Sequence, residues 1–342
     1  MPRLLQVLRQ SLTPRRPRVL ALLLVPLLLV AACGGGGDKA PSEASKTSGA
    51  SSGKQVTDLA AVHVSDKVGE KPTLKLDGHF ETDTTKSRVI TEGQGAQVQP
   101  GQVVRMNFAI YNGQDGAEVN SSFGAQPQYL MLDPTAVIQP FIDGLKGVKV
   151  GSRVLLAVPP QDTAAPSTPA PGGSPSVTPS PTKTPPMLFV IDVTDAFPGR
   201  ATGKAVALPK GLPQIKLGDK GQPTVTIPKA DPPKDLLVQP LITGTGPEVK
   251  QGQTVTAMYS GLKWGDGKMF DTTWQELIPR DFPIGVGQVI PAWDIALVGQ
   301  PVGSQVLVVA PPDKGYGKNG NPQAGISGTD TLVFVVDILD AN

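Results

Sequence analysis

Most of this chain is one unit written twice, and that repeat limits the folds open to it more than any other feature. The stretch 89–104 (VITEGQGAQVQPGQVV) aligns with 241–255 (LITGTGPEVKQGQTV); Gly95, Val98 and Gly101 each stand 151 residues before Gly246, Val249 and Gly252. The same offset joins Phe108 to Tyr259, Asp115 to Asp266 and Gly116 to Gly267. It becomes 152 for Ile138/Ile290, Phe141/Trp293 and Gly151/Gly303, and 145 for Phe189/Phe334 and Asp192/Asp337. Solenoid units run about 20–50 residues, so a period this long means tandem globular domains. The 342 residues also divide into about two domains of ~150.

Within each unit the local pattern is β. Val104–Phe108 and Thr254–Tyr259 alternate apolar and polar residues, as half-buried strands do. Asp-Gly at 115–116 and 266–267 is a hairpin-turn signal. Apolar strands close both units, over Leu188–Val193 and Leu332–Leu339. One short helix per unit is predicted, over 140–146 and 291–298, each opening with a proline that suits a first helical turn. The chain holds 39 Gly and 36 Pro, about a fifth of its length against a usual ~12%, which argues for turns over long helices. The expected class is α+β: a mostly antiparallel sheet with one short helix per domain.

The N-terminus reads as a processing signal. Residues 1–18 carry five Arg and no acid, and an apolar run from Val19 to Ala32 follows. Fourteen apolar residues are too few to span ~30 Å of hydrocarbon, whereas a basic start, a short apolar stretch and small residues at its end describe a secretory signal peptide. We therefore expect a signal peptide over 1–32. The single Cys of the chain, Cys33, stands just after Ala31-Ala32 and resembles a bacterial lipobox cysteine. The expected outcome is lipidation of Cys33, with acyl chains contributing ~0.8 kcal/mol per buried CH₂; an ordinary signal peptide cleaved nearby is the alternative. The chain would then be exported and anchored to the extracytoplasmic face of the cell membrane. Residues 33–60 begin Gly/Ser/Ala/Lys-rich and are expected to be a flexible tether. Removing 1–32 leaves 26 basic against 29 acidic residues, turning the formal charge from +2 to −3; neither value implies a nucleic-acid partner. One Cys excludes an internal disulfide, and two His leave no His-rich metal site.

The second unit carries a specific ordered series. Met258-Tyr259-Ser260-Gly261 is followed by Gly265-Asp266-Gly267-Lys268-Met269-Phe270-Asp271, then Phe282-Pro283-Ile284-Gly285 and Gln288-Val289-Ile290-Pro291-Ala292-Trp293-Asp294. Pro311-Pro312-Asp313-Lys314-Gly315-Tyr316-Gly317 and Thr331-Leu332-Val333-Phe334 complete it. This series resembles the FKBP-type peptidyl-prolyl isomerase family over about 240–340. The resemblance implies two FKBP-like domains, each a twisted antiparallel sheet wrapped around one short helix. It also implies that Tyr259, Asp271 and Tyr316 are the polar catalytic residues, while Phe270, Phe282, Val289, Ile290, Trp293, Ile326 and Phe334 bind the substrate, with Trp293 under the proline ring. No cofactor or metal is implied, and the expected partners are proline-containing segments of unfolded or exported proteins, met by a monomeric chain. On spacing alone, Trp293, Phe334 and Val289 are equally suited to the core of any small α+β domain. Arg280 stands where the family commonly has another pocket aromatic, and is expected to make that edge more polar.

The first unit, expected over 61–198, keeps the frame and loses the site. Phe108 replaces the pocket Tyr, Val119 the Phe, Asn120 the Asp and Phe141 the Trp. Where the second copy has its Tyr316 stretch, the first has a Pro-rich insert over 160–186. The isomerase is therefore expected in 199–342 alone; a non-catalytic binding or chaperone lipoprotein built from the same modules is the alternative. Each unit also has an N-terminal extension with a candidate extra strand, as Lys220–Val225 echoes Gly69–Leu74.

Overall fold

The computed structural model describes residues 54–163 and 184–342. The expected signal segment, Cys33 and most of the Pro-rich insert lie outside the described residues. In the first unit the main elements are β1 (Lys86–Thr91), β2 (Gln102–Asn112), β3 (Glu118–Ser121), β4 (Gln128–Met131), α1 (Gln139–Leu145), β5 (Arg153–Val158) and β6 (Met187–Pro198). Their sheet runs β1-β5-β6-β2-β3, with β4 also pairing β2. The second unit repeats this with β7 (Leu237–Thr243), β8 (Thr254–Lys263), β9 (Met269–Thr272), β10 (Arg280–Pro283), α2 (Pro291–Leu297), β11 (Gln305–Ala310) and β12 (Leu332–Ala341). Its order is β7-β11-β12-β8-β9, with β10 on β8 and the short strand Lys204–Ala205 added outside β7. Every pairing within the two large sheets is antiparallel. The strands and helices expected from the repeat thus form, within a few residues of the expected bounds.

The period-2 geometry of strands sorts side chains onto two faces. On β12, Leu332, Phe334, Val336 and Ile338 join Trp293, Ala296 and Leu297 of α2 in one core. Val333 and Val335 on the other parity join Leu307, Val309, Leu241 and Trp264 in a second core. A sheet apolar on both faces needs two covers, and the extension supplies the second one. Residues Gln214–Leu217 and Pro223–Thr226 form a hairpin whose Ile215 and Val225 pack on that back face with Leu208 and Leu212. In the first unit Val62–Val64 and Leu74–Leu76 form the matching hairpin, and Val56, Leu59 and Val62 bury against Ala109, Leu155 and Val190. The tether expected over 33–60 therefore stops short of residue 60: Gln55–Val56 is a strand paired with His79–Phe80, and Leu59 is buried beneath a turn. Apolar Val56 and Leu59 have a sheet face to cover, which a Gly/Ser-rich reading of this segment overlooks.

The two units meet through one mixed patch. Val103, Met131 and Phe197 of the first share a buried cluster with Met258, Trp274, Leu277 and Leu339 of the second. Beside it, Arg105 donates to Thr256 Oγ1 (3.0 Å) and Asp340 (2.7 Å), and lies 3.3 Å from Asp195. Tyr129 donates its hydroxyl proton to Asp281, with oxygens at 2.7 and 2.8 Å. Arg105 and Thr256 are equivalent under the repeat, and so are Tyr129 and Asp281, since β4 and β10 take the same place on their sheets. Matching positions thus touch one another, the signature of a two-fold contact.

At one fully buried position the two units differ in charge. In the first unit Arg153 is fully buried and grips Asp192 at 2.6 and 2.8 Å, while also donating to the Ser65 and Glu70 carbonyls of the extension. In the second, Gln305 takes the arginine's place and donates to Asp337 at 2.7 Å, with the Ala201 N–H at 2.8 Å. Burial without a contacting cation pushes the Asp337 carboxyl up to about 6, above the ~3.9 of an unfolded chain. Between those values the folded state holds a proton that the unfolded state has released. The contribution of Asp337 to stability is therefore fully present below pH ~4 and is lost as pH rises to ~6, by on the order of 3 kcal/mol. We expect Asp337→Asn to remove this contribution. Denaturant titrations of both proteins between pH 4 and 7 should show a pH slope in the difference; parallel curves would refute it.

Candidate active site

A cavity of about 560 Å³ opens on the second sheet where α2 begins, within the 300–1,000 Å³ range of ligand pockets. Trp293, in the first turn of α2, is 4% exposed. Three rings meet it edge-to-face: Tyr259 at 5.3 Å, Phe282 at 4.7 Å and Phe334 at 5.5 Å. Phe270 stands on Phe334 at 5.7 Å. Such tilted pairs contribute about 0.5–1.5 kcal/mol each beyond area burial, so the floor is a rigid block. Val289 and Ile290 wall the cavity just before the helix, and Tyr316 stands on its rim, 38% exposed. Ile326 does not line it: its backbone pairs with Asn321 across a tight loop, and its side chain sits in the core beneath with Trp293 and Phe334. Of the expected site residues, the structure brings all but Ile326 to the cavity wall.

The polar edge is a three-residue set. Tyr259 donates to Asp271 Oδ2, and Arg280 Nη1 donates to the Tyr259 hydroxyl (3.0 Å) and lies 3.3 Å from Asp271 Oδ2. Burial, followed by the hydrogen bond to Asp271, holds the Tyr259 phenol well above its ordinary range, so it remains a donor across physiological pH. Arg280 is thus no mere departure at the rim; it closes the edge by pairing with the carboxylate.

Two local devices fix this geometry. Gly285 and Gly287, both with positive φ, donate their N–H groups to the Asp294 carboxylate at 2.6 and 2.8 Å. That ties the loop carrying Val289 and Ile290 to the first turn of α2. The Lys314 carbonyl accepts from the Ala292 N–H at 2.9 Å, which sets the Tyr316 loop beside the helix start. Sequence reasoning passed over Asp294, although Gly-x-Gly ahead of an acidic first turn was a usable signal; Gln288, Pro291 and Gly315 also line the cavity. In the first unit Ile142 stands at the Asp294 position and can accept nothing.

Gly261 makes room for the aromatic wall. A Cβ there would lie 2.7 Å from Phe270 Cζ and 3.0 Å from Phe334, closer than carbon atoms pack. In the first unit the equivalent strand position is Ile110, opposite Asn120 as Gly261 is opposite Asp271, and Val119 replaces the Phe. The two changes compensate each other: the first unit fills with a strand side chain the space that the second reserves for Phe270.

An antiparallel sheet packed on one short helix, with a ring-lined cavity where the helix begins, defines the second unit as an α+β module. The family model for FKBP-type peptidyl-prolyl cis-trans isomerases matches residues 94–176 and 246–339, just over half of the chain, and the chain belongs to this family of enzymes. An FK506-binding protein of Streptomyces anulatus is 36% identical over 118 residues, 34% of this chain and 95% of that protein. The peptidyl-prolyl cis-trans isomerase FKBP15-1 of Arabidopsis thaliana is 37% identical over 95 residues, 28% of this chain and 61% of its own length. The crystal structure of FkpA from Escherichia coli aligns at 33% identity with a TM-score of 0.30, covering 39% of this chain and about half (53%) of that one.

Gly261→Ala is expected to destabilise the second unit by about 1–3 kcal/mol through overpacking. Adding Phe270→Val, which copies the first unit, should restore stability while leaving isomerase activity low. Denaturant midpoints alongside a proline-isomerisation assay check both; unchanged stability in the single variant would show that Phe270 is not held as described.

Proposed function

We propose that residues 199–342 carry the isomerase activity, in the cavity floored by Trp293, and that the first unit does not catalyse. One observation carries this reading: the edge Tyr259–Asp271–Arg280 has Phe108, Asn120 and Gln128 at its equivalent positions in the first unit. The chemistry asked of such a cavity is modest in kind. Rotation about an X–Pro amide meets a barrier of about 18–20 kcal/mol because the planar form is resonance-stabilised. A site that binds the twisted amide better than either planar isomer lowers that barrier. The twisted amide carries less charge on its oxygen, so an aromatic, water-poor floor favours it. Trp293 would receive the proline ring, the Ile290 N–H a substrate carbonyl, and Tyr316 the passing chain. Arg280 and Tyr259 hold Asp271 in one orientation, so the edge needs little reorganisation as the amide turns.

The clients we propose are proline-containing segments of unfolded or exported proteins. We further propose that Cys33 is lipidated and holds the chain at the extracytoplasmic face of the membrane; the N-terminal sequence supports this, and no helix among the described residues is long and apolar enough to span a bilayer. Mass spectrometry of the N-terminal peptide tests the anchor, and an unmodified N-terminus elsewhere refutes it.

Proline-limited refolding of a model substrate tests the activity. Trp293→Ala and Asp271→Ala in the full chain are each expected to lower kcat/KM by about tenfold or more, equivalent to ~1.4 kcal/mol of barrier. Full activity in both would overturn the site; no activity in the unaltered protein would favour a binding role without catalysis.

A further inference from the structure

We propose that the first unit is a positioning partner for the cavity of the second, acting through Tyr129 and the seat formed by Val103, Met131 and Phe197. The inference rests on the cavity reading given above. Asp271 lies near the end of β9 and Arg280 opens β10, so the segment Thr273–Pro279 sets how these two groups face each other. Within that segment Trp274 and Leu277 are buried in the cluster shared with Val103, Met131 and Phe197 of the first unit. Leu277 has φ 55°, the only positive φ at a non-glycine among the described residues. A bulky side chain keeps that backbone only where its surroundings over-determine it, and the surroundings include Met131.

The strand beyond the segment is held as well. Alternation along β10 places Arg280 and Phe282 at the cavity and sends Asp281 the other way. There Asp281 accepts from the Tyr129 hydroxyl and from Thr256 (2.8 Å). Tyr129 is itself fixed by Arg105 Nε at 3.2 Å, and Arg105 by Asp340. Tyr129, Met131, Val103 and Phe197 do not line the cavity. They reach it through backbone: the segment and strand that carry Asp271, Arg280 and Phe282, and Met258 beside Tyr259. A small misplacement transmitted from outside a site is enough to slow catalysis.

The test uses the full chain and a proline-limited refolding assay. Tyr129→Phe with Met131→Ala is expected to lower kcat/KM by roughly tenfold, with a folded near- and far-UV dichroism spectrum; Tyr129→Phe alone, which keeps the ring, should give roughly threefold. A purely structural role would leave these losses independent of Arg280. Positioning predicts instead that in an Arg280→Ala background Tyr129→Phe costs less than it does in the unaltered protein, a non-additivity that a double-mutant cycle reads directly. Asp281→Asn, which still accepts both hydrogen bonds, should retain more activity than Asp281→Ala. Wild-type kcat/KM in Tyr129→Phe/Met131→Ala, with Trp293→Ala lowered about tenfold or more, would overturn the positioning role alone; so would losses that simply multiply with Arg280→Ala. Full activity in both Trp293→Ala and Asp271→Ala would overturn the cavity reading and this inference together.

Discussion

Each of the two large sheets in this protein is apolar on both faces, and the remaining architecture answers that constraint. Strands β11 and β12 bury every side chain from Gln305 to Ala310 and from Leu332 to Leu339. A curled sheet cannot leave such strands wet on either side at ~25 cal/mol per Å² of apolar surface. The inner face is closed by α2 and the aromatic block around Trp293, and the outer face by the hairpin extension and, at one end, by the other unit. The cavity is the part of the inner face that seven residues of helix leave uncovered.

Comparison of the two copies separates what the fold requires from what the site requires. Both keep the strand order, the proline at the helix start and the glycines of the turns. Only the second combines Gly261 with Phe270, Tyr259 with Asp271, and Asp294 with Gly285 and Gly287. The first two are pairs, and in the first unit both members have changed together: Ile110 with Val119, Phe108 with Asn120. Replacing one member alone would leave a clash or an unpaired polar group. The ring contact beneath is common to both copies: Phe141 meets Phe189 at 5.0 Å as Trp293 meets Phe334 at 5.5 Å.

Much of this was legible in the sequence. The repeat, the apolar runs and the turn glycines located strands and helices, because period-2 and period-3.6 patterns report local geometry directly. The cavity residues were legible only by resemblance, since Trp293 or Phe334 at those spacings serves a core equally well. What stayed hidden depends on approach in three dimensions. Arg280 could not be paired with Asp271 without knowing that β9 and β10 share one edge of β8. Ile326 could not be told from a wall residue until its loop closed on Asn321. The use of the extension was readable in principle, for Leu332–Ile338 is apolar on both parities and had to be covered twice.

The contact between equivalent positions has one further consequence. In a symmetric dimer of identical subunits, any substitution near the axis appears on both sides at once, so an arginine there would face its own copy. Joining the two copies in one chain removes that restriction: position 105 is arginine while its counterpart at 256 is threonine, and Tyr129 meets an aspartate instead of another tyrosine. Covalent linkage thereby lets an interface of two-fold shape carry complementary chemistry across its axis, and lets one half specialise without dictating the other.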